Sequence, residues 1–175
     1  MSTHPHPREN VQKYPRPPAL EKVAYELKVV WKAADGKEYP VASTTEGYRV
    51  LETTHPPTYY IPPQDVDQSL LEKTARSSFC EWKGAAAYFN FLAPDGGPTI
   101  QNRIWSYPKP TAGTKFAPIK DYLSFYAGSG ATGGAGWKCY VDGEEVQAQE
   151  GDFYGGWVTS WLDGKMKGGP GTWGW

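Results

Sequence analysis

Cysteine is scarce in this sequence. Among 175 residues only Cys80 and Cys139 are cysteines, and neither lies in a CxxC pair. A structural zinc site needs four ligands at short spacings, so we predict no metal centre and no cofactor. Two such thiols are typical of free cysteines in a reducing compartment, which predicts a cytoplasmic location.

Long apolar runs and an excess of one charge are also missing. No stretch approaches the roughly 18 apolar residues that span a bilayer, and residues 1–18 lack the apolar region of a secretory signal. The 18 Lys and Arg residues nearly balance 19 Asp and Glu residues. Binding to nucleic acid or to an acidic membrane through a broad basic surface is therefore not expected. The expected partner is a small molecule, and the oligomeric state stays open.

Two familiar catalytic patterns are absent as well. The glycine pairs of residues 128–134 lack the lysine and the following helix of a GxxxxGK[ST] phosphate loop. No Ser-His-Asp order indicates a nucleophile triad.

Glycine, proline and aromatic residues are abundant instead. The chain has 20 Gly, 16 Pro, 8 Trp, 12 Tyr and 6 Phe. So many turn formers disfavour long helices, while the aromatic side chains can fill a core. Composition therefore predicts a mainly β fold, a single compact antiparallel domain with one or two short helical turns.

Hairpin signals support this fold class. Asp35-Gly36 and Asp142-Gly143 each separate two β-prone runs, as in a type I′ turn with positive φ at both positions. Pro108 and Pro110 predict the end of the strand that begins near Thr99, because proline cannot donate to a ladder. One helical turn is expected over residues 117–121.

Composition also predicts three regions. Residues 1–20 contain five prolines and are expected to form a flexible arm, and residues 21–150 the β domain. Residues 151–175 are rich in Gly and Trp, and we expect their tryptophans, the terminal pair Trp173 and Trp175 included, to pack this extension on the domain.

Candidate catalytic residues cluster around one predicted turn. Cys80 and Lys83 face opposite ways in an extended strand, but a turn at Lys83-Gly84 brings them together. A nearby cation favours the thiolate form of a cysteine, so Cys80 is a candidate nucleophile. The alternative is a buried cysteine beside a solvated lysine. Glu52 is the candidate general acid or base.

Candidate ligand-binding residues are aromatic rings near strand ends, joined by two charged groups. Rings beside charges suit a flat or cationic small ligand. The alternative is that the rings form the core and that Arg49 makes a structural ion pair. The candidates are Arg49, Tyr59, Tyr60, Asp65, Trp105, Tyr107 and Tyr126.

An ordered set of motifs resembles the domain-of-unknown-function family 427, which also carries a nucleotidyltransferase-like name. The resemblance runs from about Val29 to Val146, and the extension from Gly151 to Trp175 resembles one seen in fungal and some bacterial members. It rests on Arg49–Glu52, Pro56–Pro62, Asp65–Val66, Cys80–Ala86, Trp105–Pro108 and Ile119–Tyr126.

The resemblance implies a β-tent-like fold, similar in outline to the cereblon ligand-binding domain and to methionine sulfoxide reductase B. Those relatives often hold zinc through paired CxxC motifs, which this chain lacks. Members often read Cys-Pro-Tyr-Lys-Gly where this sequence has Glu81-Trp82 between Cys80 and Lys83.

Three functions remain open at this point. The first is a small-molecule enzyme acting on a nucleotide-like or other anionic metabolite, with Lys83 and Arg49 holding the anion. The second is a non-catalytic binding module with an aromatic cage. The third is a protein-interaction domain that uses the Trp-rich tail.

Overall fold

The computed structural model describes residues 6–130, 134–151, 154–172 and 175, and the fold is mainly β. No helix among these residues is long and apolar enough to cross a membrane. The strands are β1 Glu9–Asn10, β2 Ala19–Lys22, β3 Leu27–Lys32, β4 Glu38–Thr44, β5 Tyr48–Leu51, β6 Thr58–Tyr60, β7 Leu71–Cys80, β8 Gly84–Phe91, β9 Ile100–Pro110, β10 Leu123–Phe125, β11 Gly136–Val141, β12 Glu144–Glu145, β13 Gln147–Ala148, β14 Trp157–Val158 and β15 Leu162–Asp163.

Short 3-10 turns connect several of these strands. They span Val11–Lys13, Pro63–Asp65, Gln68–Leu70 and Ala117–Ile119. The last confirms the helical turn expected over residues 117–121, with Pro118 near its start, where the missing N–H is tolerated.

Two four-stranded antiparallel sheets dominate the fold. One has the order β10-β9-β8-β7 and the other β12-β11-β3-β4, while β2, β5 and β6 form a three-stranded sheet. Aromatic rings pack edge to face in the main core, where Trp137 lies 5.2 Å from Phe91 and 5.5 Å from Phe125 between ring centroids. The aromatic excess of the sequence is thus partly a core requirement.

Both expected hairpins form, with different turns. Asp142 and Gly143 have φ of 49° and 81°, as a type I′ turn requires. In the first hairpin, among the described positions, Gly36 has positive φ and Asp35 does not. The Asp35 carboxylate instead accepts the N–H of Lys37 at 2.9 Å, so an Asx turn closes this loop.

Strand β9 ends at Pro110, one of the two prolines expected to end it, and runs past the other, Pro108. The register between β8 and β9 shifts between Ala85 and Ala87, opposite Tyr107 and Pro108. A bulge leaves an unpaired position in the ladder, where a proline costs no hydrogen bond.

The N-terminal segment, for which the sequence predicts a flexible arm, lies against the domain from His6 onward. Val11 is fully buried, and β1 pairs in parallel with β15. The guanidinium of Arg49 donates to both carboxylate oxygens of Glu9, at 2.9 and 2.7 Å, and to Glu21 at 2.8 Å. The predicted mobility of residues 1–20 stays a prediction, and residues 1–5 lie outside the described part of the chain.

The C-terminal segment is fastened to the domain by Trp157. Its indole is 2% exposed, its Nε1 donates to the carbonyl of Phe125 at 2.7 Å, and its ring packs on Tyr59 at 5.3 Å. Trp161 is buried as well. The expectation for Trp173 falls outside the described residues.

We expect Trp157→Ala to lower the free energy of unfolding by about 3–5 kcal/mol, because it removes a large buried ring and a hydrogen bond. Phe79→Ala is the matched control, since Phe79 is 77% exposed, and should change stability by less than about 0.5 kcal/mol. Urea unfolding of both variants measures the difference. Equal effects would show that the Trp157 contact contributes nothing beyond an exposed ring.

Candidate functional site

A cleft of about 640 Å³ opens between the β10-β9-β8-β7 sheet and the C-terminal segment. Its volume falls within the range of about 300–1,000 Å³ usual for small-molecule sites. It is lined by Glu52, His55, Thr58, Arg76, Ser78, Phe79, Cys80, Lys83, Tyr88, Trp105, Tyr107, Tyr126, Gln149, Tyr154 and Lys167.

The sheet provides one wall of the cleft. Cys80, Ser78 and Arg76 alternate along β7, and Trp105 and Tyr107 alternate along β9. Alternate residues of a regular strand point to the same face, which places Ser78 with Cys80 and Trp105 with Tyr107. Arg76 lies in the irregular part of β7 between Lys73 and Ser77. Arg76 lies over the ring of Tyr88 at 4.9 Å.

The turn between β7 and β8 carries Lys83 to the same cleft as Cys80. Gly84 has a φ of +102°, and a Cβ there would lie 2.9 Å from the carbonyl oxygen of Lys109. Only glycine therefore combines this backbone conformation with this close approach. Cys80 and Lys83 line the same cleft, as the predicted turn between them led us to expect.

Lys83 is the least typical cation of the cleft. The residue is only 9% exposed, and its Nζ lies 5.5 Å from the ring centroid of Tyr107. Within the part of the chain that the structure describes, no carboxylate forms an ion pair with it. A cation with no counter-ion among the described residues keeps its charge available for an anion that enters the cleft.

The C-terminal segment provides the opposite wall. The backbone N–H of Lys167 donates to the carbonyl of Thr54 at 2.8 Å, and Gln149 Nε2 donates to the carbonyl of Lys167 at 2.6 Å. The Lys167 ammonium donates to the carbonyl of Trp175 at 2.7 Å and lies 5.4 Å from the ring of Tyr154.

Two glycines allow this wall to approach the sheet. A Cβ at Gly155 would lie 2.5 Å from the ring of Tyr126, and one at Gly156 would lie 2.5 Å from Pro56 and from Gln149. Neither position has room for a side chain. The Ala127 N–H donates to the carbonyl of Gly155 at 3.0 Å, which fixes the contact.

His55 lies where the two walls meet. Its ring contacts Tyr154 edge to face at 5.0 Å, and its Nε2 is 3.9 Å from a carboxylate oxygen of Glu52. Burial lowers the pKa of His55 below its ordinary 6.5; the Glu52 carboxylate opposes this effect, and the cations Lys167, Lys83 and Arg16 reinforce it. The imidazole is therefore uncharged at neutral pH and is able to accept a proton.

Six of the ten candidate residues from the sequence line this cleft. They are Glu52, Cys80, Lys83, Trp105, Tyr107 and Tyr126. Burial raises the pKa of the Tyr107 phenol, so that group stays protonated. Tyr60 lies behind the cleft wall, where its fully buried hydroxyl accepts a hydrogen bond from Trp105 Nε1 at 3.4 Å.

The other three candidates lie elsewhere. Arg49 is engaged by Glu9 and Glu21, and Tyr59 packs in the core against Trp157. Asp65 accepts a hydrogen bond from Thr44 Oγ1 at 2.7 Å. Arg49 thus makes the structural ion pair that the sequence left as the alternative.

Sequence reasoning missed several lining residues. Ser78 precedes Cys80 by two residues, so strand periodicity from Cys80 was an available signal for it. Arg76 lies in the irregular part of β7 between Lys73 and Ser77, which regular periodicity does not reach. Gln149, Tyr154 and Lys167 carry no such signal, because their place depends on how the C-terminal segment folds back. Among the described residues, no cluster of His, Cys, Asp and Glu is arranged to hold a metal ion.

Residues 19–146 match the model of a family named NTP_transf_9 and described as a domain of unknown function (DUF427). The match covers more than half of the chain and includes the sheet wall of the cleft, but it ends before Gln149, Tyr154 and Lys167. No curated protein matches the sequence.

His55 should titrate below pH 6.5, because its surroundings favour the neutral ring. Lys167→Met should raise its pKa by removing a cation, and Glu52→Gln should lower it further by removing the anion. NMR titration of the imidazole resonances measures both shifts, with His55→Gln for assignment. A wild-type pKa above 6.5 would contradict this description of the site.

Proposed function

The chain belongs to the DUF427 family of domains of unknown function, and we propose that it binds a small anionic molecule with a planar portion in the cleft. The observation that carries the proposal is the ammonium of Lys83, a residue that is largely buried, which lies beside the ring of Tyr107 and has no acidic partner among the described residues. Such a group is stabilised by an anion, and the neighbouring rings offer flat apolar surface to the rest of the ligand.

The composition of the walls supports a small ligand rather than a macromolecule. Trp105 and Tyr126 pack edge to face at 5.6 Å and face the cleft. Among the described lining residues, cationic side chains outnumber carboxylates, since Arg76, Lys83 and Lys167 accompany Glu52. A nucleotide-like metabolite combines a planar ring with an anion and is the class that we favour.

A thermal-shift screen with nucleotides, sugar phosphates and amino-acid derivatives tests the binding function. A ligand at about 100 times its Kd should raise the Tm by about 5–10 °C. Lys83→Ala and Trp105→Ala should abolish the shift. Lys109→Ala is the matched control, because Lys109 is exposed on β9 and lies outside the cleft. Ligand shifts that survive Lys83→Ala would overturn the proposal.

Catalysis in the same cleft is the second candidate, and the pairing of His55 with Glu52 beside Cys80 favours it. In such a small-molecule enzyme Glu52 acts as general acid or base and Cys80 as nucleophile, and His55 is a further proton acceptor.

Product analysis of every ligand found in the screen separates an enzyme from a non-catalytic binding module. For an enzyme, Cys80→Ser and Glu52→Gln should each lower turnover at least about 100-fold and keep the thermal shift. Cys139→Ala controls for the loss of a thiol, since Cys139 is buried outside the cleft. Binding without product in the wild type would leave the binding module as the function.

The third possibility, a protein-interaction surface on the Trp-rich tail, receives less support. Trp157 and Trp161 are 2% and 6% exposed, so these two rings serve the chain's own core. A cytoplasmic location remains part of the proposal, supported by two free thiols, Cys80 and Cys139.

A further inference from the structure

The two walls of the cleft come from different parts of the chain, and each contributes a lysine. Lys83 lies in the turn between β7 and β8, within the family match of residues 19–146. Lys167 lies in the C-terminal segment, outside that match. The cleft is thus completed by residues that the family model does not include.

Both lysines line the cleft together with His55. The backbone of Lys167 is hydrogen-bonded to Thr54, the neighbour of His55, and its ammonium packs on Tyr154, whose ring also contacts His55. Lys83 lines the same cleft as His55 and Lys167, on the side of the sheet.

The Lys167 ammonium has donors to spare. It donates to one described acceptor, the carbonyl of Trp175, and an ammonium carries three N–H groups. Lys83 has no acidic partner among the described residues. An anion that lies beside His55 is therefore within the field of two cations that approach from opposite walls.

The charges of the cleft set the charge of the preferred ligand. Among the described side chains that line the cleft, Arg76, Lys83 and Lys167 are cationic and Glu52 is acidic, and His55 is neutral at pH 7 or above. This surplus of cationic side chains favours a dianion over a monoanion. A phosphate monoester carries close to two negative charges above its second pKa of about 6.

Given the proposed anion-binding function, on which this inference rests, we infer that the C-terminal segment makes the cleft selective for phosphate monoesters. Lys167 is the specificity-determining residue. Lys83 contributes to the binding of monoanions and dianions alike, and Lys167 provides the preference for a ligand with a second negative charge.

Phenyl phosphate and phenyl sulfate test this inference, because they share a ring and a tetrahedral head group but differ in charge at pH 8. Isothermal titration calorimetry with the full chain gives the ratio of the two Kd values. A charge-assisted hydrogen bond corresponds to roughly a tenfold or larger effect. We expect wild type to prefer phenyl phosphate by at least about tenfold.

The variants assign the preference to one residue. Lys167→Met and Lys167→Gln should bring the ratio close to one, and Lys167→Arg should keep it. Lys165→Met is the matched control, since Lys165 is exposed in the same segment and does not line the cleft. The glutamine variant keeps a polar side chain, which protects the test against a folding failure of the methionine variant.

The outcomes separate the two proposals. Equal affinities in wild type, or an unchanged ratio in both charge-free Lys167 variants, would overturn the selectivity while leaving anion binding intact. Failure of wild type to bind either compound, or binding unaffected by Lys83→Met, would overturn both proposals. A ratio of at least about ten that is lost only with Lys167 supports them together.

Discussion

Burial of the Trp157 indole is the contact on which the cleft depends. The ring inserts against Tyr59 and donates to the carbonyl of Phe125, and β14 pairs with β13 beside it. This contact places the C-terminal segment next to the sheet, and the second wall of the cleft follows from it. A ring in the core therefore helps to position Tyr154 and Lys167, which are not adjacent to it in the sequence.

Electrostatics divide the chain's cations into two kinds. Arg49 is buried and forms ion pairs with Glu9 and Glu21, and these ion pairs join the N-terminal segment to β5. Lys83 is buried without an acidic partner among the described residues. A buried ion pair such as that of Arg49 joins two segments of the chain, whereas a cation without an acidic partner is a candidate for anion binding. The two residues look equivalent in the sequence, and only their partners distinguish their roles.

What the sequence predicts well are features whose partners are near in the chain. The Asp142-Gly143 hairpin and the turn that brings Lys83 to Cys80 are both local. Tyr59 and Arg49 were assigned to a ligand because their partners, Trp157 and Glu9, are distant along the chain. Strand periodicity from Cys80 predicts the place of Ser78, but no local pattern predicts that Lys167 returns to the same cleft. The motifs that resemble the family include Cys80, Lys83, Trp105 and Tyr107 of the sheet wall, whereas the resemblance of the C-terminal extension assigned no residue to a site.

The glycines of the tail invite the interpretation that this region is loose and unspecific. Gly155 and Gly156 have the opposite effect, because each occupies a position where a single methyl group would collide with Tyr126 or with Pro56. Because they have no side chain, these two residues let the C-terminal segment pack directly against Tyr126 and Pro56. The width of the cleft, and with it the thickness of a molecule that fits, thus depends on two residues that have no side chain.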